Sequence, residues 1–443
     1  MHDNNYNSWG GIPRVSQRVV SIIDREKIFP EALEPGDTYL PFGNGRSYGD
    51  VCLNDGGQIL HCRALNKILA FDRGSGVIKA EAGVLFSEIL ALIVPQGWFL
   101  PVTPGTQFVT LGGAIANDVH GKNHHVAGSF GCHVNQFELY RSNGDSLVCS
   151  ESENQALFQA TIGGLGLTGV IVWAEVQLKK IDTAYILQES ICFENLDEYF
   201  EIAEASAAEY EYTVAWIDCV ARGKKLGRGV FLRGRHAEAE SVRDVRSVGL
   251  PRTIKFPFSP RFSLVNNAFL GVFNSSYFWG NKVKQGASLV HYQKYFYPLD
   301  SILKWNRIYG QRGFYQHQSV IPNQYAMDAI KEQLDLISTA KTGSFLAVLK
   351  SMGDAPSKGL MSFSRPGVTL ALDFPNRGDS TTTLLGNLEA VTRNAHGAIN
   401  PSKDATMRSE TLHVGFSRVA QFEKSVDTAA SSSFWRRVMS DGT

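Results

Sequence analysis

Apolar positions along the first 180 residues fall into short strand-like and helical runs separated by glycine. "DTYLPFG" (37–43) enters a glycine-rich turn as a strand. "GVIKAEAGV" (76–84) alternates apolar and polar residues as a half-buried strand does. "LFSEILALIVPQG" (85–97) places apolar residues at helical spacing and ends near Pro95 and Gly97. "GVIVWAEVQLKKI" (169–181) predicts a long strand, after which the composition changes. From 182 to 397, "ESICFENLDEYFEIAEASAAEY" runs from a strand into an amphipathic helix. "YTVAWIDCVA", "GRGVFLRGR", "FYQHQSVIP", "GSFLAVLKSMG" and "VTLALDFPN" predict strands, while "NQYAMDAIKEQLDLIST" and "TTTLLGNLEAVTRN" predict helices. This is an α+β pattern, a strand-rich antiparallel sheet covered by helices. "GAINPSKDATMRSETLHVGF" (397–416) lacks strong periodicity and precedes a helical tail. Residues 252–282 are aromatic, cationic and broken by Pro and Gly. They admit two readings, a lid or loop packed on the protein's own body, or an apolar basic surface that touches lipid.

Length favours two domains over one. Lys+Arg and Asp+Glu number 43 each, so no basic field exists to gather nucleic acid. The six cysteines are scattered without a CxxC pair, which fits reduced thiols in an intracellular protein. The polar N-terminus carries no signal-peptide core, and no unbroken apolar run reaches the roughly 18 residues of a spanning helix. A cytoplasmic protein, at most peripheral at the inner membrane surface, is the expectation.

Three glycine-rich stretches carry the chemistry. Gly164, Gly166 and Gly169 spell G-x-G-x-x-G, but a helical run precedes them and a strand, with Val170 and Ile171, follows. That reverses the order of a dinucleotide-binding turn, so NAD-type binding is rejected. "PFGNGRSYGD" (41–50) frees the amides around Gly43, Asn44, Gly45, Arg46, Ser47, Tyr48 and Gly49 to face a pyrophosphate. In "PVTPGTQFVTLGGAIANDVHGKNHH" (101–125), Pro104 rigidifies a turn, Gly105 and Thr106 offer amides and a hydroxyl, and Gly112, Gly113 and Ala116 form a small-residue surface for a flat ligand. Together these describe a large planar cofactor bearing phosphates and held by backbone groups. His120, His124, His125 and His133 make a poor zinc set, since Gly121 and Asn123 oppose the helix that would align the first two and no cysteine pair or nearby Glu completes a site. No metal is expected.

"GNGRSYGD", "HGKNHHVAGSFG" and "GGLGLTGVI" resemble the FAD domain of the vanillyl-alcohol-oxidase type flavoproteins, and among them the decaprenylphosphoryl-ribose 2'-oxidases of cell-wall arabinan synthesis. The resemblance continues through "VAWIDCVARGKKLGRG", "WNRIYGQRGFYQHQSVIP", "LALDFP" and "SKDATMRSETLHVGF". It implies an FAD domain at 1–181 returning at 398–443, with a substrate domain at 182–397. Thr110, Asn117, His120, Gly121 and Asn123 join the glycine stretches as FAD-binding positions. It implies hydride transfer to flavin N5 from a secondary alcohol of a polyprenyl-phosphate-linked pentose, the first half of a 2'-epimerisation that a short-chain reductase partner completes. Lys122 and Lys403 match lysines at the flavin and substrate; either binds the hydroxyl or the flavin edge, or acts as base. Tyr48 and Gln318 match active-site positions, His120 shapes the pocket, and Trp216 and Gln316 stand in the substrate pocket. Arg46 occupies the place where many relatives tether flavin through histidine, which predicts non-covalent FAD. Ala371 replaces a cysteine captured by nitroaromatic covalent inhibitors, and Thr369 replaces an asparagine, which leaves the sugar open. Two other readings remain, a soluble alditol or aldonolactone oxidase and a flavin-binding scaffold for a partner reductase. Oxygen or a quinone would reoxidise the flavin.

Overall fold

Three larger sheets, rather than one continuous one, follow from the strand runs, with two two-stranded pairs beside them among the described residues. The computed structural model describes residues 6–29, 33–242 and 253–440, so Arg252, the first residue of the 252–282 segment, lies outside them. Arg18–Ser21, Gln58–His61 and Tyr39–Phe42 form a parallel sheet in that order. Ile68–Asp72, Val77–Glu81, Val170–Gln177, Val134–Tyr140 and Ser146–Ser150 form an antiparallel one. The short helix Leu111–Ala116 packs against its strands Val77–Glu81 and Val170–Gln177. Thr110 caps that helix, its hydroxyl accepting from the Gly113 amide at 3.2 Å.

The third sheet has eight strands, all antiparallel, in the order Gly286–His291, Tyr185–Phe193, Gly229–His236, Tyr212–Ile217, Val348–Met352, Gly367–Pro375, Phe314–Ile321, Ala398–Ile399. Period-two alternation splits its central strands. In Gly367–Pro375, Val368, Leu370, Leu372 and Phe374 are buried in one core with residues of the helices Leu196–Ala207, Asn323–Thr339 and Asp379–Asn394. Each such side chain contributes roughly 1.5–3 kcal/mol by leaving water. Thr369, Ala371 and Asp373 take the other face. Register aligns Lys350 with Thr369 and Val320, and Gln318 with Ala371, Val348 and Trp216. One face of the sheet is thus apolar and sealed, and the other is free to carry chemistry.

The chain then returns to its beginning. The Tyr39 amide donates to Ala429 O (2.9 Å) and the Ser431 amide to Tyr39 O (3.0 Å). Arg437, in the helix Ser433–Met439, pairs with Asp50 at 2.8 Å and Asp404 at 2.9 Å.

Within 252–282 the sequence shows only breaks, yet Asn267–Val283 is a 17-residue helix. Tertiary contacts override its glycines: Asn274 is fully buried and donates to Asp218 Oδ1 at 2.7 Å, and Phe278 packs under the Arg228 guanidinium.

Candidate active site

A cavity of about 1010 Å³ lies between the glycine-rich segments and the polar face of the eight-stranded sheet. On one side, the turn after Tyr39–Phe42 brings Gly43, Asn44, Gly45, Arg46, Ser47 and Tyr48 to the wall. Among the described residues, no acceptor meets the amides of Asn44, Gly45, Arg46 and Ser47, so four consecutive donors remain for a ligand. Gly45 takes φ +57°, where a Cβ would also lie 2.9 Å from Asn7 O. Arg46 stacks on Trp9, 4.4 Å from the ring centroid, and donates to Asn44 O at 2.9 Å. Opposite stand Pro104, Gly105, Thr106, Thr110 and the small-residue face Gly112, Gly113 and Ala116. The Leu165 amide holds Ala116 O at 2.8 Å and the Gly163 amide holds Ile115 O at 3.0 Å, so the third glycine stretch fixes this helix in place. Gly169 and Ile171 complete the wall, and Asn117 presents a buried Oδ1 without a partner. A Cβ at Gly43 would sit 2.4 Å from Thr110 Oγ1, so only glycine lets these two segments approach. Unclaimed amides, an orphaned buried carbonyl and a flat small-residue floor fit a diphosphate and an isoalloxazine ring.

The other side holds ionisable groups. The Ser402 backbone amide is an unambiguous donor, and it bonds Asn400 Oδ1 at 3.0 Å. Asn400 Nδ2 must then donate to Gln318 Oε1 (3.0 Å), which turns Gln318 Nε2 toward Thr369 Oγ1 and His120 Nε2, each at 3.1 Å. His120 Nε2 therefore accepts, its Nδ1 carries the proton, and Lys350 Nζ, 2.8 Å away, receives it as an uncharged amine. Burial independently brings Lys350 down to about 7, with the Lys122 charge adding to the effect. Burial lowers His120 well below the usual imidazole range, in keeping with a neutral ring.

Two more lysines, Lys122 and Lys403, line the cavity. Lys122 donates to Tyr295 O and lies 4.2 Å from the Tyr295 ring centroid; burial brings it to about 7. Lys403 lies 4.0 Å from the Tyr48 ring centroid, and burial, opposed by the Asp373 charge, brings it to about 8. Burial raises Asp373 to about 7 against hydrogen bonds from Gln316 and Tyr309 and the charge of Lys403.

A lysine lowered below its unfolded pKa sheds its proton on folding. Its desolvation cost is present in full below about 7 and is relieved as pH rises toward 10. Flavin-free Lys350→Met is therefore expected to gain less stability than the parent between pH 7 and 10, by roughly 1 kcal/mol per pH unit. Denaturant unfolding across that range measures the two slopes, and parallel slopes would contradict a neutral Lys350.

Trp216, Gln316, Gln318 and Ala371 line the cavity with His120, Gly121, Lys122 and Lys403. Trp216 is pinned by its Nε1 donating to Phe345 O at 3.0 Å. Five expected site residues stand behind the wall. A Cβ at Gly49 would lie 1.6 Å from Asp404 O, so this glycine lets the two loops meet. Asn123 is buried and ties the loop to Pro101 O at 2.8 Å. Gly164 packs against Ala160 O, Val170 points into the core beside Tyr39 and Val172, and Thr369 touches the site through Gln318. Lys350, Asp373, Asn400 and Asp300 line the cavity without having been singled out in the sequence. For Lys350 the readable signal is a cation in the apolar run "FLAVLKSM"; for Asp373 it is strand parity with Thr369 and Ala371. Asp300 anchors the 104–107 turn, accepting from Thr106 Oγ1 and the Gln107 amide at 2.8 Å each. His124 is buried with both ring nitrogens unpartnered, while His125 and His133 meet Tyr210 O and Ala127 O. Among the described residues, no group of three His, Cys, Asp or Glu is placed to hold a metal.

Residues 18–150 match the FAD binding domain family. Decaprenylphosphoryl-beta-D-ribose oxidase of Mycolicibacterium smegmatis is 33% identical over 438 residues, covering 95% of this chain and 93% of the relative. L-gulonolactone oxidase of Mus musculus is 27% identical over 205 residues, 44% of this chain and 45% of its own. D-lactate dehydrogenase of Anaerostipes hadrus is 29% identical over 152 residues, 32% and 31% of the two chains. FAD is the cofactor that the glycine-lined half accommodates, and the chain belongs to the vanillyl-alcohol-oxidase type flavoprotein oxidoreductases acting on CH–OH groups, in the family of decaprenylphosphoryl-beta-D-ribose oxidase.

Proposed function

We propose that the chain oxidises a secondary hydroxyl of a pentose carried on a polyprenyl phosphate, the first half of a 2'-epimerisation. The observation that carries this reading is one continuous cavity. It joins the FAD half to the Lys122, Lys403 and Asp373 set and continues to an apolar mouth at Phe273, Tyr277, Ile302 and Leu303. The near-full-length likeness to decaprenylphosphoryl-beta-D-ribose oxidase supports the substrate class.

Bound FAD supplies a two-electron acceptor for the carbinol C–H. Lys403, brought to about 8, takes the hydroxyl proton as a neutral amine. Lys122 presents N–H donors where negative charge develops. The Asn400–Gln318–His120–Lys350 chain fixes the pocket floor without adding charge. Asp373 tunes Lys403 through its charge, and Tyr48 supports it from below. We place the FAD part at 1–181 and 398–443 and the substrate part at 182–397; in support, seven of the eight large-sheet strands begin and end inside the central segment.

Anaerobic mixing tests the substrate. A polyprenyl-phosphoryl pentose is expected to bleach the yellow flavin band, and bleaching by free alditols or aldonolactones instead would favour a soluble sugar oxidase. No bleaching by any sugar would leave a scaffold for a reductase.

With Arg46 in place of a tethering histidine, the flavin is expected to leave entirely on acid precipitation. Colour retained in the pellet would overturn the non-covalent reading. Ala371 sits on the wall opposite Gln318 and Val348 with no thiol to offer. Nitroaromatic covalent inhibitors are expected to leave the protein mass unchanged, and Ala371→Cys to restore an adduct by intact-mass spectrometry.

A further inference from the structure

Most of the large apolar side chains that the described residues expose lie between 254 and 303. The backbone beneath them is fixed. The Phe256 amide donates to Leu303 O (2.9 Å), the Leu264 amide to Ile308 O (2.9 Å) and the Gln311 amide to Pro260 O (3.0 Å). Yet Phe258 and Phe262 remain 63% and 70% exposed. The helix Asn267–Val283 repeats the pattern. Its inner face sets Phe273 and Tyr277 on the cavity wall and buries Leu270, Asn274 and Phe278. Its outer stripe, Val272, Trp279 and Val283 at spacings of seven and four, is 70%, 57% and 85% exposed. Exposed aromatic and aliphatic side chains gathered in one segment on pinned backbone mark a surface that meets a partner or a membrane.

Charge identifies the cover. Between 253 and 310 Asp300 is the single carboxylate, and it is turned inward onto Thr106 and Gln107. Lys255, Arg261, Lys284 and Lys304 are exposed around the apolar groups. In a chain of zero net charge this is a local excess of cations interleaved with aromatic and aliphatic side chains, the composition that seats a protein in an anionic lipid headgroup layer. The patch is continuous with the cavity, since Lys255, Ile302, Leu303 and Lys304 belong to both its wall and the exposed rim.

We propose that this rim is a membrane-docking face. Phe258, Phe262, Val272, Trp279 and Val283 enter the headgroup–acyl boundary of an anionic bilayer, and the cavity mouth opens into that layer. A lipid-linked sugar then reaches the flavin while its chain stays in the membrane. This last step rests on the substrate reading above; docking itself does not.

Flotation of the FAD-loaded protein with phosphatidylcholine vesicles, with and without phosphatidylglycerol, tests it. The parent protein is expected to float with anionic vesicles at least about tenfold more than with neutral ones, and less as salt rises. The triple variant Val272→Ser, Trp279→Ser, Val283→Ser, which keeps every cavity residue, is expected to lose at least about tenfold of that binding while keeping its flavin absorbance. A second variant, Phe258→Ser with Phe262→Ser, is expected to behave likewise should the first fail to hold flavin. Parent protein left in the dense fraction, or variants that float like the parent, would overturn the docking face. Concentration-dependent self-association abolished by the same variants, with no vesicle binding, would also overturn it and make the face a protein interface. Vesicle binding without flavin bleaching by a polyprenyl-phosphoryl pentose would keep the face and overturn the substrate; bleaching without vesicle binding would do the reverse.

Discussion

Lys403→Met is expected to lower turnover by about 10²–10³-fold with FAD still bound, the loss seen when one preorganised polar group at a reacting centre is removed. The residue is half-buried, stands over the Tyr48 ring and sits in the field of Asp373. A lysine works as base only after losing its proton, so the parent's kcat/KM is expected to rise with pH through about 8 and level off above it. In Lys403→Met that rise disappears from the residual activity. In Asp373→Asn it moves to lower pH, because the carboxylate charge that favours the protonated lysine is gone. Stopped-flow reduction of the flavin under anaerobic conditions separates this chemistry from product release. A Lys403→Met enzyme with the parent's pH profile would transfer the base role to Lys122.

Ala116→Phe is expected to yield a colourless protein. Ala116 ends the helix whose small residues floor the cavity, and its carbonyl is already held by Leu165, so a ring placed there has no route but into the flavin's space. A ligand at 100 times its dissociation constant stabilises a protein by about 2.7 kcal/mol. Added FAD is therefore expected to raise the melting temperature of the flavin-stripped parent and to leave that of Ala116→Phe unmoved. Equal shifts in both would mean that the helix does not face the ring.

The elements were legible because their periods are strong. Asn323–Thr339 carries an apolar face at helical spacing, and Gly367–Pro375 sets Val368, Leu370, Leu372 and Phe374 at alternate positions. What remained hidden depends on neighbours distant in sequence. Gly49 reads as one more phosphate-loop glycine, and only the approach of Asp404, more than 350 residues away, gives it a packing role. Lys350 is visible as a misplaced charge, but its neutrality rests on hydrogen-bond polarity relayed from the Ser402 amide through three side chains. Asn267–Val283 was obscured because Asn274 and Phe278 are secured by Asp218 and Arg228, partners that local propensity does not register.

Arg437 joins Asp50, beside the first glycine turn, to Asp404, beside Lys403, and the segment at 429–431 hydrogen-bonds across Tyr39. During synthesis the early strands leave the ribosome long before these partners exist. The flavin pocket therefore reaches its final form only after residues 404–437 have emerged, and until then the nascent chain carries an incomplete cofactor site. Loading of the coenzyme consequently waits on the emergence of these returning residues rather than on that of the early segments that touch the vitamin.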